Sequence, residues 1–567
     1  MRKVLIKFKE GLKHHFSVLL VHNFEILLAL AIASIVSCSG VLSLLLSSDI
    51  FTLRIVSSTS QAESFISMMS ASLATITAIL FSISILVIQH AASNYTASIL
   101  EDYKKDLRTW FVYFFFFSLI FGSFILLTEV NISSLNMGFV MLILSFAFLG
   151  SQFVHTVDMI NPKKVIERAK DQSIRDIHAT PSRAYSIVKK TKPRNEVERI
   201  MIQSPIYPQF VLHNDQTLLM RSRQKILQIT DIVLKSSVRR EIETCTAGFV
   251  ALSEIARSYV SIRKEDTTQE DRFLQDIYDK LLSIPKIALD NQDLSLLQEI
   301  IKAFEKVGCS TAEIKPASDF SGPNQATGLA VWYIHELGVK AIEKSLWGVV
   351  AQAIRSIMNV GTAAIQKAGE DALASDKVLD LGMRATNRTN WFVTNVASEA
   401  LKELLFYSVL SKISIHMAPS RILESIEKLS VSAVSIGLDL PALRSLFPIM
   451  PEYSIEKVAW AALEIKNESY PQIETSWREE YAKDVVSKLM ETLEKIGLKA
   501  AESNSWMLMR YVVYAIEGIA ILLVREKFVT LKEGFDEELE VTINALQDMY
   551  LLSGEKPPPL AWSTVGL

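Results

Sequence analysis

Cysteine is scarce in this chain, and the short motifs that mark common catalytic sites are missing. Three cysteines occur among 567 residues, at Cys38, Cys245 and Cys309, too few and too scattered for a disulfide framework or a zinc cluster. There is no Gly-rich loop ending in Lys-Ser/Thr, no Cys-x-x-Cys and no Gly-x-Ser-x-Gly, and His335-Glu336 lacks the second histidine of a metalloprotease helix. We therefore predict no catalytic residue, no metal and no cofactor, although distant residues that converge in a fold would escape such a search.

A large excess of charge of either sign is also missing. The chain has 59 Lys and Arg residues against 62 Asp and Glu residues, a net charge of −3. Without a basic excess, nucleic acid is not expected as a partner. Apolar residues make up 49% of the chain and the mean hydropathy is +0.25, values typical of a chain that lies partly in lipid.

Long apolar stretches are abundant in the first 160 residues. They run from Ile26 to Leu46, from Phe65 to Ile88, from Trp110 to Leu127 and from Met137 to Val157. Each is long enough, as a helix, to cross a hydrocarbon core of about 30 Å. We therefore predict a four-helix transmembrane domain over residues 25–160, after an N-terminal segment of residues 1–24. The first stretch continues unbroken, which disfavours a cleaved signal peptide.

Basic residues predict the orientation of these spans, because Lys and Arg are retained on the cytoplasmic side. Three segments carry them: the one before the first span, the one between the second and third, and the one after the fourth. The residues are Arg2, Lys3, Lys7, Lys9, Lys13, Lys104, Lys105, Arg108, Lys163, Lys164, Arg168 and Lys170. The other two connections hold only Arg54. Both termini are therefore expected in the cytoplasm.

The second apolar stretch has a face of small and hydroxyl-bearing residues at helical spacing. Its members are Ser70, Ala74, Thr75, Thr77, Ser82, Ser84 and Gln89. Such a face should point at protein or water, because a hydroxyl in hydrocarbon needs a hydrogen-bond partner. One interpretation is close packing against neighbouring helices. The other is a pore lined by this stretch in a homo-oligomer.

A group of polar residues is predicted at the cytoplasmic ends of the second and fourth spans. It comprises His90, Gln152, His155 and Asp158. His155 and Asp158 are three residues apart and share a helix face. Hydrogen bonds between neighbouring helices would account for the group, and a metal site or a proton switch is the alternative, since histidine titrates near neutral pH.

Residues 67–106 resemble the signature of a family of prokaryotic membrane proteins, the domain of unknown function 2254. That family has a Ser/Thr-rich span followed by a segment like Ala-Ser-Ser-Gln-Phe-Ser-Pro-Arg-Leu-Leu and an Asp. Residues 91–100 read Ala-Ala-Ser-Asn-Tyr-Thr-Ala-Ser-Ile-Leu, and Asp106 follows. Ala97 and Ser98 replace the family's Pro and Arg, so any role of that Arg is lost. The resemblance implies an integral protein of a prokaryotic plasma membrane but no activity.

Residues 163–552 show amphipathic helical spacing nearly throughout, which predicts a large cytoplasmic helical domain. The pattern is clear over 216–236, 239–261, 293–308, 389–413, 419–436, 473–497 and 535–552, and another run extends from Ile342 to Ile357. Pro208 to Leu212 is the best short strand candidate. The fold class is therefore all-α, with an α-solenoid-like array or a compact helical bundle after the spans. Residues 553–567 form a Pro-rich tail.

Two functions from different classes fit this organisation. The first is a membrane-anchored sensor or scaffold whose cytoplasmic helical domain binds a protein partner. The second is a homo-oligomeric channel or transport component lined by the second span. The size of the helical domain favours the first.

Overall fold

A computed structural model describes eleven segments of the chain. They are residues 59–94, 106–126, 132–190, 219–263, 272–314, 325–368, 373–411, 418–438, 458–459, 462 and 475–525. Every element in them is a helix, so the predicted all-α class is confirmed over these residues. The N-terminal segment, the first predicted span with Cys38, the strand candidate at 208–212, the predicted helix at 535–552 and the Pro-rich tail lie outside them.

The chain divides into two compact units, Met1–Asn161 and Pro162–Leu567. The first unit contains α1 (Thr59–Asn94), α2 (Leu107–Leu126) and α3 (Ile132–Ile160), and all three pack against one another. One core cluster joins Ile66, Met69 and Leu73 of α1 to Leu119 and Met141.

A second core cluster lies nearer the ends of these helices. It joins Leu80 of α1 to Val112, Tyr113 and Phe116 of α2, with Phe148 of α3 packed against it. The apolar faces of the three helices thus meet in two core clusters, and the bands on their outer surfaces are apolar too. Exposed side chains there include Leu86, Phe117, Phe121 and Phe153.

Two helices of this unit are long and apolar enough to cross a membrane, by length and composition. They are Glu63–Gln89, of 27 residues, and Met141–Ile160, of 20 residues. The third predicted span corresponds to a shorter apolar helix, Thr109–Ile125. The first lies outside the described residues. The structure therefore supports two candidate spans among the described residues, rather than the full set of four.

The second unit is a succession of helices from Pro162 onwards. These are α4 (Pro162–Lys190), α5 (Met220–Val238), α6 (Ile242–Ile262), α7 (Arg272–Ser283), α8 (Pro285–Asp290), α9 (Leu294–Thr311), α10 (Gln325–Glu343), α11 (Trp347–Ala368), α12 (Ala374–Asn387), α13 (Trp391–Leu410), α14 (Ala418–Ser435), α15 (Thr475–Glu502) and α16 (Trp506–Arg525). Their buried faces carry mainly Ile, Leu, Val and Ala, as amphipathic helices require.

These helices stack in two rows. In one row α5, α7, α10, α12, α14 and α15 pack in that order, and in the other α4, α6, α9, α11 and α13 do. From α4 to α7 and from α9 to α14, consecutive helices of the chain alternate between the two rows, whereas α14 and α15 both lie in the first row. Polar contacts link neighbours within the first row, including Arg223 with Asp276 at 3.0 Å, the Tyr333 hydroxyl donating to Asp279 at 2.5 Å and Lys495 with Glu427 at 3.2 Å.

Six connections among the described residues of this unit share one tight turn. In each, a left-handed residue follows the helix, and the next amide donates to the carbonyl five residues earlier. The left-handed residues are Arg240, Gln292, Ser345, Thr389, Gly437 and Asn504. The amide-to-carbonyl pairs are 241 to 236, 293 to 288, 346 to 341, 390 to 385, 438 to 433 and 505 to 500, all at 2.8–2.9 Å. This arrangement, the Schellman motif, satisfies carbonyls that a helix end would leave unpaired.

The turn at Ser345 corrects one sequence prediction. The apolar spacing from Ile342 to Ile357 predicts one continuous helix, but α10 ends at Glu343 and α11 begins at Trp347. Ser345 has a φ of 56°, a conformation that no spacing of apolar residues reveals. The apolar positions continue across the break because both helices bury their faces in the same core.

Candidate functional site

A chain of polar side chains joins the start of α2 to the end of α3. The Asp106 carboxylate caps α2: its Oδ2 accepts from the Thr109 amide at 3.0 Å and from the Thr109 hydroxyl at 2.6 Å. The same oxygen lies 2.7 Å from His155 Nε2. Gln152 Nε2 donates to Thr109 Oγ1 at 3.3 Å. We call Asp106, Thr109, Gln152 and His155 the polar cluster.

The polar cluster lies partly in and partly out of the helix core. Thr109 and Gln152 are each 1% exposed, whereas the side chains of Asp106 and His155 are 20% and 16% exposed. Burial alone would raise the pKa of Asp106, but the hydrogen bonds from Thr109 and His155 outweigh it and lower that pKa below its usual value. Asp106 is therefore a carboxylate at neutral pH.

The structure brings together two of the four residues predicted for this site. Gln152 and His155 join the polar cluster. Asp158 is half-buried one turn beyond His155 in α3. His90 lies in α1, but its side chain is outside the described part of the chain.

Asp106 and Thr109 were missed as members of the site by reasoning from the sequence. The signal that could have found them is the capping pattern Asp106-Leu107-Arg108-Thr109 directly before an apolar helix. An Asp at that position orients its carboxylate towards the first turn, and the end of α3 lies beside that turn.

The small-residue face of α1 is split by the packing of the unit. Ser70, Thr77 and Ser84 are buried, whereas the remaining members of the face are exposed: Ala74, Thr75, Ser82 and Gln89. The hydroxyls of Ser70 and Thr77 donate to carbonyls four residues earlier, at 2.9 and 2.7 Å, and Thr75 does the same at 2.8 Å. One hydroxyl row thus faces the helix core of the unit, and a second row lies on its surface.

The turns of the second unit present apolar side chains to solvent. Seven large ones are exposed within three residues of the left-handed positions: Val238, Ile242, Leu294, Trp391, Phe392, Ile436 and Met507. Trp347, Trp391 and Trp506 each occupy the first helical position after the turn. We call the six turns and these side chains together the turn edge.

Among the described residues, no three His, Cys, Asp or Glu side chains converge as a metal site would require. The polar cluster supplies one histidine and one carboxylate, fewer than a transition metal needs. Cys245 and Cys309 lie in separate helices as free thiols, and burial raises their pKa values to about 12 and about 11, so neither is a reactive thiolate at neutral pH.

Comparison with known families decides the membrane assignment. Residues 16–233 match the family described as predicted membrane protein (DUF2254). The resemblance inferred from residues 67–106 is thereby confirmed. The DUF2254 match includes α1 to α4 and the polar cluster and ends within α5, so most of the hairpins lie beyond it. The match supports the conclusion that this chain is a membrane protein, and the description of the family gives no function.

Other comparisons add little to the DUF2254 match. No curated protein matches the chain. One solved structure, a "Circular tandem repeat protein with novel repeat topology and enhanced subunit contact surfaces", is 12% identical and covers 69% of this chain and 97% of its own, with a TM-score of 0.27. A TM-score that low carries no structural argument.

Proposed function

We propose that this protein is a membrane-anchored scaffold or sensor whose helical unit binds a protein partner along the turn edge. It would span a prokaryotic plasma membrane several times with both termini in the cytoplasm, as the distribution of Lys and Arg predicts. The observation that carries the proposal is the concentration of exposed apolar side chains at the turns. Trp391 and Met507 are 51% and 65% exposed there.

A stacked array of hairpins suits such a role. Each hairpin packs only on its neighbours, so a long row of equivalent turns becomes available to a partner without disturbing the core. Exposed tryptophan, phenylalanine and methionine are the side chains that dominate protein–protein interfaces.

The charges around the turn edge favour a protein over an anionic lipid surface. Basic residues at the turns, such as Arg240 and Lys344, alternate with acidic ones such as Asp290, Asp293 and Glu502. An anionic bilayer attracts surfaces with a basic excess, whereas a mixed pattern suits a protein with its own complementary charges.

Affinity capture of the full chain from detergent-solubilised membranes tests the proposal. The wild type should retain a stoichiometric partner, and Trp391→Lys with Met507→Lys should lose it. Trp332→Lys is the matched control, because Trp332 is 44% exposed but lies in the middle of α10, away from the turns. Repeated recovery of the wild type alone, or equal capture by both variants, would count against a partner at the turn edge.

A second candidate is a homo-oligomeric channel or transport component. The observation that favours it is the exposed row Thr75, Ser82 and Gln89 on α1, which in an oligomer could face a shared axis. Reconstituted wild type should then conduct ions, and Thr75→Leu or Ser82→Leu should change the conductance. Thr77→Val, on the buried row, is the control. Silent bilayers with wild-type protein would remove this candidate.

A further inference from the structure

Two buried polar atoms of α3 have no hydrogen-bond partner among the described residues. They are Gln152 Oε1 and Thr156 Oγ1, on side chains that are 1% and 5% exposed. A buried polar group left unpaired costs roughly 1–3 kcal/mol, and nearly all such groups in folded proteins have a partner. Two such atoms one helical turn apart therefore offer a pair of oxygens to a ligand.

The two atoms lie on the same face of α3, because residues 152 and 156 are four apart. The orientation of the Gln152 amide follows from its neighbours. The single hydroxyl proton of Thr109 goes to the Asp106 carboxylate at 2.6 Å, so Thr109 Oγ1 can only accept from Gln152, at 3.3 Å. The amide nitrogen must then face Thr109, and Oε1 faces away from it.

The ligand chemistry follows from the atoms available. Gln152 Oε1 is a carbonyl oxygen that only accepts, and the Thr156 hydroxyl oxygen can accept as well. Asp106 adds a carboxylate, and all the hydrogen bonds it accepts within the described residues go to Oδ2, which leaves Oδ1 to contribute. Oxygen atoms that accept select a hard cation.

We propose that Asp106, Gln152 and Thr156 form a binding site for a monovalent alkali cation, sodium or potassium. A single carboxylate balances one positive charge. Divalent cations in proteins usually bind more than one carboxylate. A divalent cation beside Asp106 alone would leave one positive charge uncompensated, and burying such a charge costs free energy. The inference is independent of the partner proposed for the turn edge, since it concerns other residues and another unit.

Thermal unfolding of the full-length protein in nanodiscs tests the site. The melting temperature is measured while sodium chloride replaces N-methyl-D-glucamine chloride at constant total chloride. A specific cation raises the melting temperature in a saturable way, because it binds the folded state. Potassium chloride, lithium chloride and magnesium chloride in place of sodium chloride identify the preferred cation.

Two variants localise the effect. Thr156→Val and Gln152→Met keep the side-chain volumes approximately; the first removes the hydroxyl oxygen, and the second removes the amide oxygen together with the nitrogen that donates to Thr109. Each should weaken the apparent cation affinity about tenfold or more. Without the cation, Thr156→Val should unfold at the same temperature or higher because an unpaired polar atom is gone, whereas Gln152→Met also loses one hydrogen bond. Ser145→Ala is the control: its buried hydroxyl already donates to Met141 O at 2.7 Å, so its cation response should match the wild type.

Several results would overturn the proposal. Equal melting temperatures in sodium and N-methyl-D-glucamine chloride would mean that water or another side chain satisfies the two oxygens. A melting temperature that responds to magnesium and to no alkali cation would show that the site binds a divalent ion, which contradicts the proposed monovalent cation. A wild-type response in both Thr156→Val and Gln152→Met would place the cation elsewhere.

Discussion

Lys344 and Arg388 hold the same position in successive turns, and each donates to a carbonyl near the end of an earlier helix. Lys344 Nζ donates to Leu289 O at 3.1 Å, and Arg388 Nη1 donates to Ile342 O at 2.7 Å. Each donor comes one residue before the left-handed residue of its own turn. Each acceptor comes three residues before the left-handed residue of the previous turn. One basic residue per turn thus fixes the spacing of two successive hairpins.

Removing the guanidinium of Arg388 should loosen this spacing. We expect Arg388→Met to lower the free energy of unfolding by about 1 kcal/mol, because a charge-assisted hydrogen bond to a helix C-terminus is lost. Lys344→Met should cost less, since the hydrogen bond of its amine to the Leu289 carbonyl is longer, 3.1 Å against 2.7 Å, and its ion pair with Asp290 is exposed. Urea unfolding of the full chain in detergent, followed by tryptophan fluorescence, measures the difference. Arg355→Met, at an exposed position of α11, is the control and should leave the midpoint unchanged.

Helices approach closely at Gly308, so a larger residue there should clash with its neighbours, and the uncrowded Gly328 provides a matched control. A Cβ at Gly308 would lie 2.8 Å from Ala330 Cβ and 2.8 Å from Val360 Cγ2. Gly308→Ala should therefore destabilise the helical unit by about 1–3 kcal/mol through overpacking. Gly328→Ala meets no atom within 4 Å and should stabilise α10 by about 0.5–1 kcal/mol, since alanine favours helix. Equal effects of the two substitutions on the urea midpoint would contradict the packing described.

Because the amine of Lys402 is buried, we expect an apolar replacement to raise the free energy of unfolding by an amount that depends on pH. Lys402 is 7% exposed, and burial lowers its pKa to about 8, against the smaller raising effect of Glu399. At pH 7, below both the folded pKa and the unfolded value of about 10.4, the folded protein holds a charged amine in the core. Lys402→Met should then raise the free energy of unfolding by about 1–3 kcal/mol.

The size of this stability difference changes little below a pH of about 8, because the Lys402 amine is then protonated in both the folded and the unfolded state. Wild-type stability should rise as the pH increases from about 8 towards about 10, because the folded state releases its proton first. The advantage of Lys402→Met should shrink over that range. Lys428→Met, at an exposed position, is the control. A lower urea midpoint for Lys402→Met at pH 7 would show that the amine is stabilising.

Asp106 should contribute to stability through its cap and its contact with His155. Asp106→Ala loses both and should cost about 1–2 kcal/mol. Asp106→Asn keeps an acceptor for the Thr109 amide, so its cost should be smaller. Because the folded pKa of Asp106 is lowered, its contribution is present above the unfolded value of about 3.9 and is lost as the pH falls below it. Melting temperatures between acid and neutral pH measure this, with the exposed Glu63→Gln as control.

The helices of the second unit could be predicted from the sequence because amphipathic spacing follows directly from burial of one face. The prediction of 293–308, for example, corresponds to α9 (Leu294–Thr311), with Asp293 as its N-cap. The turn at Ser345 could not, because serine has no intrinsic preference for a left-handed conformation and only the surrounding helices impose it. The choice between an α-solenoid-like array and a compact bundle could not be made from the sequence either, since the residues of the six turns differ and share only their backbone hydrogen bonds.

The candidate site was predictable in part for a similar reason. Gln152 and His155 stand out as polar residues at the end of an apolar stretch, which a sequence shows. Their contact with Asp106 and Thr109 depends on how α2 packs against α3, 43 and 49 residues away along the chain. Capping residues are visible locally, but no local pattern says which distant helix lies beside the cap.

The hydroxyl groups of α1 have one further consequence for how this helix behaves. Ser70, Ser72, Thr75 and Thr77 each give their proton to a carbonyl of their own helix. To a lipid tail or an adjacent helix they therefore present little more than a methyl-sized surface, and none of these four donors is left unpaired. Each hydroxyl can still exchange this hydrogen bond for one to a better acceptor on an approaching helix, at a small net cost in free energy. The hydroxyls of α1 therefore become donors to a neighbour only on contact.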